Sequence, residues 1–171
     1  MIAHPIETAR RSRLFDKIVV TTDSEEIATL CAGLAVDVVK RPSPFAEDHI
    51  GTQVVARVTL DDLAVLGKRF ETACVLYPCA PLLLPGDLLD AFWILSQTAE
   101  VDYVVAVGAD PLRDAGAMYF GRAEAFVQGA PLISPYTRLL RLPDARCCDV
   151  NDETDWKRCE EMYAAVQKER A

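Results

Sequence analysis

Residues 147–156 read CCDVNDETDW, and six of the seven positions from Asp149 to Asp155 carry a side-chain oxygen. Two kinds of work call for such a cluster. A helix start needs Asp, Asn or Ser to accept from its free N–H groups. A hard divalent cation needs carboxylate and amide oxygens. Spacing divides the residues between these jobs. Asp149 and Asn151 lie two apart on a segment that reads as extended, so their side chains share a face and can share one cation while Val150 packs inward. Asn151 or Asp152 then falls where a final helix begins, with Trp156, Cys159, Met162 and Val166 as its apolar anchor.

What must position these oxygens is a chain of 171 residues, long enough for one domain (1–171) with a real core. It is 51% hydrophobic and 26% charged, with a net charge of −8, which excludes a nonspecific nucleic-acid binder relying on basic surface. An anionic substrate then needs Arg, Lys, helix N-termini or a divalent cation close by. The six cysteines form no CxxC pair and lie far in sequence from both histidines, which argues against a zinc site. With no transmembrane-length apolar run and no leader pattern, the expectation is a reduced, cytoplasmic protein that binds no membrane.

The strand signals alternate with helix signals. KIVVTTD (17–23), VDVVKR (36–41), TACVLYPCAP (72–81) and YVVAVGAD (103–110) are β-branched or apolar runs that end in polar or proline-rich turns. AMYFG (117–121) and TRLLRLP (137–143) read as further extended segments. Helical spacing predicts helices over 4–14, after Asp23, 52–66, 86–98, a short one ending at Gly129, and the last from about Asp152. Asp23 with Glu26 resembles a capping box, and Ile27, Leu30, Cys31 and Leu34 fall on one face of the helix it starts. The alternation predicts a three-layer α/β/α sandwich on a mostly parallel sheet.

Ligands of such sheets bind beyond the carboxyl ends of the strands. The stretches TTDS (21–24), KRPSP (40–44), YPCAP (77–81), GADP (108–111) and CCDVND (147–152) are together expected to rim one crevice. No Walker loop is present and no GxGxxG follows a strand, so residue chemistry by itself supports an α/β domain with a polar crevice.

The order of these stretches resembles the acylneuraminate and pseudaminic acid cytidylyltransferases, a nucleotide-diphospho-sugar transferase-like fold. MIAHPIETARRSRLFDKIVVTTDSEEIA resembles that family's first helix, second strand and next helix start. VVKRPSPFAEDHIGT resembles its arginine–proline stretch, VLYPCAPLL its small-residue turn, RDAGAMYFGRAEAF its sugar-site segment, and CCDVNDETDWKRCEEMY its Asp-x-Asp motif and following helix. The resemblance implies transfer of CMP from CTP to a nine-carbon α-keto acid sugar, a nonulosonic acid of sialic or pseudaminic type, with release of pyrophosphate. It implies Mg²⁺ as cofactor. It assigns Arg41, Cys79, Ala80 and Pro81 to the nucleotide, Asp114, Gly116 and Tyr119 to the sugar, and Asp149 and Asn151 to the metal. It names no catalytic side chain, and adds a homodimer as a further expectation.

The chain also departs from that pattern. It opens at the helix that follows the family's first strand and basic glycine-containing loop. Only Pro111, Leu112 and Arg113 stand where the family has several tens of residues. Asn151 replaces the second aspartate, and Ala117 a glutamine. These departures predict a sheet with an open internal edge, and keep a second reading alongside the first: a cytidylyltransferase-like nucleotide-binding module without turnover.

Overall fold

The run KIVVTTD forms β1 (Val19–Thr22), which pairs in parallel with β2 (Asp37–Lys40), Val19 opposite Asp37 and Thr22 opposite Lys40. The other strands make a second ladder in the order β3 (Thr72–Leu76), β5 (Asp114–Arg122), β4 (Tyr103–Val107), β6 (Thr137–Arg141). These are the six strands of the computed structural model, which describes residues 1–47, 49–109, 114–150 and 152–169.

The α/β sandwich stands, but the larger sheet is mixed. β4 is parallel to β6, while β5 runs antiparallel to both β3 and β4. The cause is connection length. Only the few residues between Val107 and Asp114 join β4 to β5, too short for the helical crossover that a parallel neighbour needs. The β4–β5 register slips between Val105 and Val107, and Gly116 sits inside the slip with φ +56°.

Side chains of β4 alternate between two cores. Val104 and Ala106 face α1 (Ala3–Ser12) and α4 (Pro85–Ser96), packing with Ala9, Leu88, Ala91 and Leu95. Tyr103, Val105 and Val107 face α3 (Thr52–Val65) and α5 (Ala123–Gln128), packing with Ala56, Ala125 and Phe126. Tyr103, Val104 and Val105 are fully buried, so the central strand carries the period-two pattern with both faces covered. The last helix, α6 (Glu153–Glu169), buries Cys159 and Val166 against Leu82, with Met162 and Tyr163 partly buried beside them.

Three local expectations need correcting. Asp23 does not cap the helix that follows it. Ser24 is the N-cap of α2 (Glu25–Gly33), its Oγ accepting from Ile27 N at 3.3 Å. Of the apolar face expected on α2, Cys31 is buried, while Ile27 and Leu30 are exposed. A two-stranded sheet is too narrow to cover a full helical stripe. Trp156 is 40% exposed and lines a groove, so Cys159 and Val166 hold α6 rather than the indole.

Among the described residues no ladder joins β1 to β3. Every residue of β3 is half-buried, whereas every residue of β4 is buried. Apolar side chains such as Val75 and Leu76 thus lie along an open sheet edge, a position proteins ordinarily cover or charge. The starts of the two strands are nonetheless close, since Lys17, two residues before β1, feels the like charge of Lys68, four before β3.

The start of α6 meets its expectation in Asp152, whose Oδ1 accepts from Thr154 N at 2.8 Å and Asp155 N at 2.9 Å. Asp152→Ala frees two donors at a helix start and removes a charge that favours the dipole. The expected cost is about 1 kcal/mol by urea denaturation. No change in stability would show that α6 draws nothing from this cap.

Candidate functional site

The turn Tyr77–Pro81 leaves β3 at its carboxyl end. Ala80 N donates to Tyr77 O at 3.2 Å, and the Ala80 side chain is buried in the core. Tyr77 is itself held. Its hydroxyl hydrogen-bonds Thr52, the first residue of α3, and its ring meets Tyr119 edge-on at 5.9 Å between centroids. The turn brings the Cys79 thiol near the loop before α6, close enough for Asp149 and the Val150 backbone to act on its proton affinity. Burial raises the Cys79 pKa, and the Asp149 carboxylate adds to the rise.

Asp149 is exposed to solvent yet seated closely on the sheet. A Cβ built on Gly116 would lie 2.7 Å from Asp149 Oδ1 and 3.0 Å from its carboxyl carbon. A Cβ on Gly108, just past β4, would lie 2.8 Å from Cys147 Sγ. The segment Cys147–Asp149 therefore lies across two glycines, and only the missing side chains allow that approach. Gly108 was not singled out by sequence reasoning. Its signal is a glycine just past a buried strand, where close approach of another segment is a standard reason for one.

The structure thus brings together Cys79, Gly116 and Asp149, each from a different stretch of the chain. Ala80 supports the turn from within the core. Pro81 closes it and lines a groove of about 310 Å³ between α1 and α6, together with His4, Trp156, Cys159 and Tyr163. That groove meets the expected site residues only at Pro81. Asp114 opens β5 opposite Val107. Tyr119 lies in the core under α3 and α5 rather than on an open rim. Asn151 lies outside the described residues. Arg41 follows β2 directly, its N–H donating to Thr22 O at 2.9 Å and its Nη2 lying 3.6 Å from Asp23 Oδ1. Its Nε is buried and has no hydrogen-bond partner among the described residues. Such an orphan donor is what a ligand oxygen can satisfy.

A further pair, not foreseen from sequence, fixes the loop that carries Asp149. Arg146 Nη2 donates to Asp87 Oδ1 at 2.9 Å, and Nη1 donates to Oδ2. Asp87 also accepts from Leu84 N at 2.7 Å, closing the first turn of α4. Nη1 lies 3.4 Å from Leu82 O as well. The available signal was LPGD (84–87), with Pro at the first helical position and an acid at the third.

Among the described residues no group of three His, Cys, Asp or Glu side chains is placed to hold a metal ion. Asp149 offers a single carboxylate. That donor set fits a cation that takes few protein ligands and completes its shell with water and phosphate oxygens.

Comparison with known proteins bears on the whole arrangement. A family model described as cytidylyltransferase matches residues 1–120. A Helicobacter pylori protein named pseudaminic acid cytidylyltransferase and UDP-2,4-diacetamido-2,4,6-trideoxy-beta-L-altropyranose hydrolase is 28% identical over 199 residues, covering 98% of this chain and 38% of that protein. A pseudaminic acid cytidylyltransferase of Campylobacter jejuni is 24% identical over 197 residues, covering 95% of this chain and 84% of the relative. The chain therefore spans less than half of the first relative and most of the second. Among solved structures, CMP:2-keto-3-deoxy-manno-octonic acid synthetase with CTP shares the fold at a TM-score of 0.68 and 11% identity, covering 98% of this chain and 88% of that one. The family model takes in α1 through β3 and the Cys79 turn and reaches into β5 past Gly116 and Tyr119, while the Asp149 loop lies beyond it; with well over half of the chain matched, the chain belongs to the cytidylyltransferase family.

Proposed function

We propose that this protein binds CTP with a divalent cation, Mg²⁺ in the cell, and transfers CMP to a nonulosonic acid of pseudaminic type with release of pyrophosphate. The observation that carries the reading is the seating of the Asp149 carboxylate on Gly116 beside the Cys79 turn. Three segments distant in sequence converge on one solvent-facing carboxylate. The names of the Helicobacter and Campylobacter relatives support the sugar class.

In this reading Asp149 and Asn151 hold the cation, which offsets triphosphate charge when bound. The Cys79–Pro81 turn packs against the base. The buried Nε of Arg41 donates to a nucleotide oxygen, and Asp114 and Gly116 shape the sugar side, with Tyr119 supporting them from the core. The work of these side chains is positioning: the sugar hydroxyl must lie in line with the α-phosphorus. A homodimer and a cytoplasmic location complete the proposal. No described helix is long and apolar enough to cross a membrane.

Calorimetric titration with CTP, with and without Mg²⁺, tests the binding step. Phosphorus NMR with CTP and pseudaminic acid tests the transfer. Mg²⁺-dependent CTP binding with pyrophosphate release is the expected result, and absence of both overturns the reading. Binding without release would favour the second reading, a nucleotide-binding module without turnover. The open β3 edge and the amide at position 151 favour that reading. Asn151→Asp adds a charge at the second metal position and is expected to lower the Mg²⁺ concentration for half-maximal CTP binding several-fold. An unchanged requirement would remove Asn151 from the metal set.

A further inference from the structure

Cys79, Cys148 and Cys159 come from a turn, a loop and a helix, and their thiols gather at one place. Cys148 packs against the small apolar cluster of Leu82, Cys159 and Val166, and Cys79 and Cys159 each feel the charge of Cys148. A separate contact fixes the same placement, since Cys148 Sγ lies 3.8 Å from Asp155 O. Asp155 stands one helical turn before Cys159 on α6, so the Cys148 sulfur rests on the stripe of α6 that ends at Cys159. All six cysteines are free thiols. Cys159 is buried as a residue but lines the groove between α1 and α6, which gives a small solute a route to it. Cys148 is the more exposed of the two.

We propose that Cys148 and Cys159 form a reversible disulfide under peroxide. The bond ties the loop that carries Asp149 to α6 and makes this pair an oxidative modification site. Cys148 reacts first, its sulfur attacking one peroxide oxygen as the O–O bond breaks. Water leaves and Cys148 becomes a sulfenic acid. The Cys159 sulfur then attacks Cys148, forming the S–S bond, and the sulfenic oxygen departs as a second water with the Cys159 proton. Two electrons pass from the two sulfurs to the peroxide, so two thiols and one peroxide give one disulfide and two waters. In a reducing compartment such a bond is transient, which suits a sensor rather than a structural brace. The groove and the gathered thiols exist whether or not the nucleotide reading holds, so the test uses no nucleotide.

Purified full-length protein is treated with a few equivalents of hydrogen peroxide and analysed by intact mass and by peptide mapping without reduction. The expected result is a loss of about 2 Da, as two thiols become one disulfide, with Cys148 linked to Cys159. Dithiothreitol restores the mass. Cys148→Ser and Cys159→Ala each abolish the loss, and Cys79→Ser and Cys147→Ser keep it, with far-UV circular dichroism reporting that each variant is folded. A map linking Cys148 to Cys147 or Cys79 overturns the proposal. So does a dimer joined between chains, or oxygen addition without a disulfide. The wild-type map decides the matter even if a variant fails to fold.

Discussion

Arg146→Ala is expected to lower the unfolding free energy by about 3 kcal/mol, the low end for breaking a buried ion pair from one side. The Arg146 side chain is 15% exposed and that of Asp87 is 10% exposed, so water offers little compensation. Truncation leaves the Asp87 carboxylate, among the described residues, with Leu84 N as its donor and removes the donor facing Leu82 O. The effect reaches beyond one contact. Asp87 closes the first turn of α4, and Arg146 stands three residues before Asp149. The pair therefore ties the helix under the larger sheet to the loop of the candidate site. Urea denaturation at constant slope reads the change. Replacing both partners, Asp87→Leu with Arg146→Met, is expected to recover most of the loss, because the cost comes from an uncompensated charge rather than from a missing attraction. A loss under about 1 kcal/mol for Arg146→Ala would mean that the pair behaves like an exposed one.

The strands were legible because each is a β-branched or apolar run closed by a turn signal, and all six form within a few residues of where those signals place them. The direction of β5 was not legible from periodicity. It follows from a short connection, a topological fact that hydropathy does not carry. Helix faces were legible only where the sheet beneath is wide enough. On α4, Leu88 and Leu95 are buried, whereas Trp93 is 63% exposed. The placement of Tyr119 turns on the register slip. Ala115 and Ala117 share a core with Met118 and Phe120, so the alternation breaks between 117 and 118 and sends Tyr119 to the opposite face. No one-dimensional pattern announces such a slip. A glycine at positive φ is its cause, and glycine by itself is ambiguous. The Arg146–Asp87 pair was illegible for a related reason: its partners are 59 residues apart, and each alone reads as an ordinary charged loop or cap residue.

Asp149→Ala is expected to reduce the Mg²⁺-dependent part of CTP binding at least tenfold while leaving the fold intact. Tenfold corresponds to about 1.4 kcal/mol, a modest demand on one charged ligand. The carboxylate is solvent-facing, and α6 keeps its Asp152 cap when it is removed. Gly116→Ala reaches the same end with the carboxylate still present. Its Cβ would lie 2.7 Å from Asp149 Oδ1, and the clashing atom is the tip of a short side chain, so the carboxylate turns away before the backbone moves. Holding alanine at φ +56° adds about 1–2 kcal/mol of destabilisation. The two substitutions therefore act on one thing, the position of the Asp149 oxygens, and their effects on cation dependence should not add. In a double-mutant cycle, Gly116→Ala in the Asp149→Ala background should change Mg²⁺ dependence by less than twofold, while its stability cost persists in full. The split between the two readouts is the decisive feature. Fully additive losses in Mg²⁺ dependence would mean that Gly116 influences binding without touching Asp149. Intact Mg²⁺ dependence in Asp149→Ala would remove that residue from the metal site altogether.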